Sequence, residues 1–312
     1  MQLEGHLRNW LTRFRPTIPP VAALLEPPHL CGLRVAEARK DLTTLVRHEE
    51  ALSSGSEAFL PEGEALERSA ESLMTHLGAP KRLSVVVGDP FFKIQVLAVE
   101  DFPRDEKERA QVILWQLRKL LNAPLDQVRL RYEVLSRSGG TVSLLVAVCR
   151  EADAAALEEA FARRGCHVGF LGPSSLALLS LAEARGALPS DGSALLVNRT
   201  ETYLSLLFVD RGIPAFFRCK DLAAFEREET EETERLAQEM RLTLAYFRDR
   251  VGGSKLASVW VRRHPQGLAL PFEEELEEGV RVNDFASLLP AAPAGAPVEA
   301  ALPLYGVLEG CP

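Results

Sequence analysis

The chain has 312 residues, 46% hydrophobic and 26% charged, which suffices for one large or two medium domains with a sizeable core. Its net charge of −8 argues against a general binder of nucleic acid or of anionic membranes. With no apolar run near the ~20 residues that span a bilayer, and no secretory apolar core at the N-terminus, the chain reads as cytoplasmic.

Residues 1–15 predict an amphipathic helix, with Leu3, Leu7, Trp10, Leu11 and Phe14 on one face beside Arg8, Arg13 and Arg15. Such a face suits a membrane surface or a protein groove, and Pro16, Pro19 and Pro20 end the helix. Residues 30–35 and 42–48 read as a strand pair around the polar turn 37–41. Residues 64–77 form a helix with Leu66, Ala70, Leu73 and Leu77 inward, and Gly78 takes its left-handed end. Strands follow at 83–88 and, after Asp89-Pro90, at 92–99. Residues 105–121 form a helix with an acidic first turn, with Val112, Trp115, Leu117 and Leu120 inward. Residues 128–135 and 142–148 make a hairpin across Ser138-Gly139-Gly140. A helix at 151–164, a strand at 167–171 and a helix at 173–184 lead to a boundary at 189–193.

Beyond it, apolar strands at 195–197, 203–209 and 213–217 are separated by a polar break of Asn, Arg, Thr and Glu and by the turn Asp210-Arg211-Gly212. In the helical segment 225–251, an acidic, solvated start gives way to a core stripe of Leu236, Met240, Leu244, Phe247 and Val251. The tail alternates a strand at 256–261, a helix at 272–278, a strand at 280–282, a helix at 284–289, a loop at 291–297 and an apolar segment at 300–307. The five cysteines, Cys31, Cys149, Cys166, Cys219 and Cys311, are scattered without a CxxC pair and read as reduced and mostly buried. GxSxG, GxxxxGK[ST] and GxGxxG are absent, and the six histidines show no metal-ligand spacing.

A strand–polar turn–strand unit occurs twice, at 30–46 and 195–209. Two facing hairpins of this kind mark the actin-like ATPase fold, where glycine lets backbone N–H groups approach phosphates and an Asp holds Mg²⁺ through water. Further segments carry a likeness: Cys31-Gly32-Leu33-Arg34-Val35-Ala36, LSVVVGDPFFKIQVLAVEDFP, residues 141–171, residues 195–218, AQEMRLTLAYFRD and residues 301–307. Through them the chain resembles the PilM family of type IV pilus assembly proteins and, more distantly, FtsA and the cytoplasmic domain of GspL. The resemblance implies an α/β, duplicated actin-like (ribonuclease H-like) ATPase fold. Residues 1–20 would be an N-terminal helix and linker, and 21–188 a first half with an inserted α+β subdomain at about 83–171. Residues 189–312 would be the second half.

The departures from that family bear on function. Its metal-binding Asp falls on Arg34 and Asn198, its glycines on Ala36 and Thr200, and its adenosine-side Gly-Gly on Arg262-Arg263-His264, whereas Glu239 and Arg241 are kept. A non-glycine at a left-handed position costs on the order of 1 kcal/mol, and its Cβ blocks the phosphate. Losing both Asp residues removes the charge that holds a metal. The resemblance therefore implies a pocket without catalytic or metal-binding residues, whose degenerate positions are Arg34, Ala36, Asn198, Thr200, Glu239 and Arg263. Direct pairing of Arg34 with a phosphate of ATP stays open. The implied role is a non-catalytic cytoplasmic adaptor at the inner membrane, binding the N-terminal peptide of a bitopic PilN-like partner, through it a PilO-like protein, and the pilus motor ATPases. The inserted module is the expected docking place, because sheet edges and helix grooves recruit extended peptides. Leu7, Trp10, Leu11 and Phe14 are expected to touch membrane or partner. The alternatives are a working ATPase with Asp41 or Asp210 as metal ligand, and an FtsA-like cytoskeletal or cell-division adaptor.

Overall fold

Leucine-rich and β-branched runs form the strands, and their alternate side chains face different cores. The computed structural model describes residues 19–27, 29–34, 60, 63–121, 123–222, 229–251, 255–262, 276–289 and 298–309. Chain order begins β1 (Val21–Glu26), β2 (His29–Arg34), α1 (Glu64–His76), β3 (Arg82–Val87), β4 (Lys93–Glu100) and α2 (Glu106–Leu117). It continues β5 (Val128–Ser138), β6 (Thr141–Arg150), α3 (Glu151–Ala162), β7 (His167–Pro173) and α4 (Ser174–Ala184). Then come β8 (Ser193–Arg199), β9 (Tyr203–Asp210), β10 (Ile213–Asp221), α5 (Glu229–Tyr246), β11 (Leu256–Arg262), β12 (Arg281–Asp284) and α6 (Val298–Glu309).

The first sheet has the order β2-β1-β3-β7, with β1 and β2 antiparallel and β1, β3 and β7 parallel. The second has the order β10-β9-β8-β11-β12, with β8, β9 and β10 antiparallel and β8, β11 and β12 parallel. Hairpin β8–β9 beside two parallel strands thus repeats hairpin β1–β2 beside β3 and β7. The duplication is present, but its first hairpin lies one strand earlier than the sequence reading of 30–46. Glu26 pairs with His29, and Pro27, which has no N–H for the ladder, ends β1 between them. Residues 42–48 lie outside the described residues. So do the N-terminal helix with Leu7, Trp10, Leu11 and Phe14, together with Ala36, Asp41 and Arg263.

A third, antiparallel sheet, β4-β6-β5, forms the inserted module. It is narrower than the expected 83–171. The strands at its two ends, β3 and β7, are parallel neighbours in the first sheet, and α3 packs back along α1. Gly139 and Gly140, both at positive φ (57° and 87°), make the tight turn between β5 and β6. Arg129 on β5 grips Glu151 at the start of α3 with two hydrogen bonds of 3.0 and 2.6 Å, tying the module to the helix that leaves it. On α2 the buried positions are Ile113 and Leu117, one turn apart. Trp115, expected inward, lies two positions from each on the opposite side of the helix and is 60% exposed, whereas Leu120, also expected inward, falls beyond the end of α2 and is 47% exposed.

Period-two alternation divides the second sheet between two cores. Leu195, Val197, Leu204, Leu206 and Phe208 meet Leu236, Met240, Leu244 and Phe247 of the segment carrying α5. Ala194, Leu196, Leu207 and Val209 face the large core shared with the first sheet, α1, α3, α4 and α6. Helix α6 ends the second half in sequence, yet it packs on β1, β2 and β3 and against α4. Contact between the two helices is close: a Cβ on Gly306 would lie 1.8 Å from the Ala177 carbonyl oxygen. Among the described residues Cys31, Cys149, Cys166 and Cys219 form no disulfide, and burial pushes Cys149 and Cys219 up to about 12. No helix among the described residues is long and apolar enough to cross a membrane. Gly306→Ala is expected to separate α4 from α6 and cost about 1–3 kcal/mol, as overpacked cores do, read as a lowered midpoint in chemical denaturation.

Candidate functional site

The parallel strands of both sheets end towards one crevice, the place where open α/β sheets ordinarily take ligands. Each strand delivers a polar residue there. Glu26 closes β1 before Pro27, and Asp89 follows β3 after Gly88, in a 3-10 turn at Asp89–Phe91. Ser174 and Ser175 open α4 directly after β7, Asn198 lies near the end of β8, and Arg262 ends β11. Tyr203 begins β9 across the hairpin turn. All seven side chains are buried.

Arg262 holds the centre. One terminal nitrogen (Nη2) donates to Glu26 Oε2 at 2.6 Å and to the Ala300 carbonyl at 3.0 Å. The other (Nη1) donates to Asn198 Oδ1 at 3.0 Å, and Nε donates to the Glu299 carbonyl at 2.8 Å. That last carbonyl is available for a reason visible in the sequence. Residue 303, four positions on within α6, is a proline and has no N–H to give it.

Tyr203 donates its hydroxyl to Glu26 Oε1 and lies 2.6 Å from Ser174 Oγ. Burial first, then the carboxylates of Glu26 and Asp89, push the phenol well above its usual range, which keeps the proton in place. Asn198 Nδ2 points at Asp89 Oδ2 (3.1 Å), Ser174 Oγ (2.8 Å) and Tyr203 Oη (3.1 Å). Asp89 also accepts from the Ser175 amide at 2.9 Å and from the Ser175 hydroxyl, so it caps the first turn of α4 from a neighbouring strand. Burial pushes the Asp89 carboxyl up against the pull of those hydrogen bonds. At the turns the two hairpins meet: Thr202 Oγ1 lies 3.5 Å from the Pro27 carbonyl.

The sequence-predicted positions fare differently. Asn198 is in the network. Thr200 braces the hairpin turn, accepting from the Tyr203 amide at 3.1 Å. Arg34 sits at the opposite end of β2, where it donates to the Leu77 carbonyl and so caps α1, away from the crevice. Its assignment to the pocket followed from the misplaced hairpin. Glu239 on α5 pairs with Arg218 and, at 3.2 Å, with Lys220 of β10, outside the network. In sequence, Glu26, Asp89, Ser174, Ser175 and Tyr203 stand out in no motif, and Arg262 stands out only as a replacement for the Gly-Gly of the resembled family. Their shared signal is a polar residue directly at the end of a buried apolar strand.

These residues do not fit a magnesium–nucleotide. A triphosphate would face the carboxylates of Glu26 and Asp89, and the Arg262 guanidinium already has four acceptors in the protein.

A second carboxyl pair lies at the seam between α4 and the inserted module. Burial, then the nearby Glu133 carboxylate of β5, pushes Glu183 up to about 8. Between its ordinary 4.5 and about 8 the folded chain keeps a proton there that the unfolded chain has released, so stability falls as pH rises through that window. Glu183→Gln is expected to flatten that fall and to gain on the order of 1–3 kcal/mol over the parent chain at about pH 9. Urea unfolding at low and high pH measures it, and an unchanged slope would remove Glu183 as the titrating group. Tyr203→Phe is expected to cost about 1–3 kcal/mol in the same assay, because Glu26 and Asn198 each lose a partner.

No protein-family model matches the chain, and no curated protein matches it in sequence. Solved structures do. A chain of a PilM–PilN type IV pilus biogenesis complex superposes with a TM-score of 0.74 at 17% identity, covering 95% of this chain and 98% of that one. A Bacteroides thetaiotaomicron protein of actin-like ATPase fold and unknown function follows at 0.53 and 10%, covering 92% and 94%. The cytoplasmic domain of EpsL, an inner-membrane component of the Vibrio cholerae type II secretion system, gives 0.50 and 13% over the same shares. With its two repeated sheets and facing hairpins, the chain has the actin-like ATPase fold.

Proposed function

We propose that this protein is a non-catalytic scaffold of a type IV pilus or related type II secretion machine. It would receive the cytoplasmic N-terminal peptide of a PilN-like membrane protein and connect it, with a PilO-like protein, to the motor ATPases. The observation that carries this reading is the end-to-end likeness to a chain of the PilM–PilN complex, with almost no part of either chain left over. A crevice filled by the protein's own side chains supports the non-catalytic part.

The surface of the inserted module supports such a role. Strand β5 is an edge of its sheet, so one row of its backbone groups is open to an added strand. Of the five large exposed hydrophobic residues among those described, three (Trp115, Leu120 and Leu125) lie on this module. Arg118 covers the Trp115 ring at 3.9 Å, leaving a basic, aromatic surface on an otherwise acidic protein. Association with the inner membrane would then come through the partner.

The test is calorimetric titration of the full chain with a synthetic peptide of the first ~15 residues of a PilN-like protein, long enough to pair along all 11 residues of β5. Saturable binding in the micromolar range is expected, with no ATP turnover above the buffer rate. Absence of binding, or turnover that needs Mg²⁺, would sink the scaffold reading.

A further inference from the structure

The misfit between the crevice and a metal–nucleotide has a positive side. We propose that Arg262 is the centre of an internal clasp that holds the two halves of the molecule closed without any bound ligand. Its partners come from separate parts of the chain: Glu26 from the first hairpin, Asn198 from the second, and the Glu299 and Ala300 carbonyls from α6. Glu26 and Arg262 are 236 positions apart in sequence, so their ion pair is a direct tie between the halves. Both are almost without solvent contact, at 0% and 3% exposure. Removing one partner would therefore leave a buried charge unmatched, whereas removing both need not.

Two details show that the surroundings are built for this guanidinium. Pro303 leaves the Glu299 carbonyl without its helical donor, and Nε takes that carbonyl. Tyr203 takes the second oxygen of Glu26, which fixes the carboxylate plane for Arg262. Through Tyr203 and Asn198 the clasp extends to Ser174, Ser175 and Asp89, and so to the start of α4. The direct contact of the two hairpin turns, Thr202 to Pro27, closes the same side. The clasp is a property of the chain alone and stands whatever partner the inserted module takes.

The experiment compares the full-length parent with Arg262→Met, with the double variant Glu26→Gln/Arg262→Met, and with the milder Asn198→Ala. Limited proteolysis and small-angle X-ray scattering follow each chain with and without Mg-ATP. In Arg262→Met, cleavage between the halves is expected to accelerate at least ~10-fold and the radius of gyration to increase, with the double variant recovering part of both. Asn198→Ala is expected to accelerate cleavage by a smaller factor, about 3-fold or more, and reports on the clasp even where Arg262→Met does not fold. Mg-ATP is expected to change nothing in the parent. Parent-like cleavage and scattering in both Arg262→Met and Asn198→Ala would overturn the clasp. So would a parent chain that closes further or resists protease only when Mg-ATP is added.

Discussion

A guanidinium taken out of water and placed between two sheets needs a nearly full set of acceptors. Arg262 finds them in a carboxylate, an amide oxygen and two main-chain carbonyls. Much of the molecule's arrangement follows from meeting that requirement. The end of β1 must present Glu26, the end of β8 must turn the oxygen of Asn198 inward, and the first turn of α6 must lie over both. Once α6 is held there, its remaining length runs along α4, and only a glycine at position 306 allows the approach to Ala177. A polar contact at the centre thus sets the geometry of an apolar one.

Sheets with parallel strands leave polar strand ends and helix N-termini around a crevice, and most chains use them for ligands. Here the same positions are met from within. Asp89 caps α4, Arg262 neutralises Glu26, and Tyr203 and Asn198 join the two groups. On the scaffold reading, what the chain offers to others moves outward to the inserted module. That module keeps an open sheet edge and exposed apolar side chains, while its other edge strand, β4, packs near β10 of the second half.

Long periodic segments were legible. The second hairpin appears where the apolar runs 195–197 and 203–209 place it, and the buried stripe of α5 follows the spacing of Leu236, Met240 and Leu244. The first hairpin was shifted by one strand because a five-residue apolar run ending in a glutamate, with prolines on both sides, resembles a linker. That shift carried Arg34 into a pocket it does not reach. On α2, hydrophobicity alone did not distinguish Trp115 from Leu117. Which of them is buried depends on where β6 lies, and no local pattern encodes that.

By itself the amino-acid sequence determined the strand and helix runs, the duplication of a hairpin unit, and the absence of the expected Asp and Gly at Asn198 and Thr200. These are local properties, carried by side-chain period and by the turn chemistry of proline and glycine. What surrounds those positions was decided only by the tertiary structure. Glu26 and Arg262 are each an ordinary charged residue at the end of an apolar run, and nothing within ten positions of either foretells the other. Their pairing exists because the two sheets bring their strand ends to one crevice. There, burial gives an unmatched charge no water to turn to, and the chain supplies the partner itself.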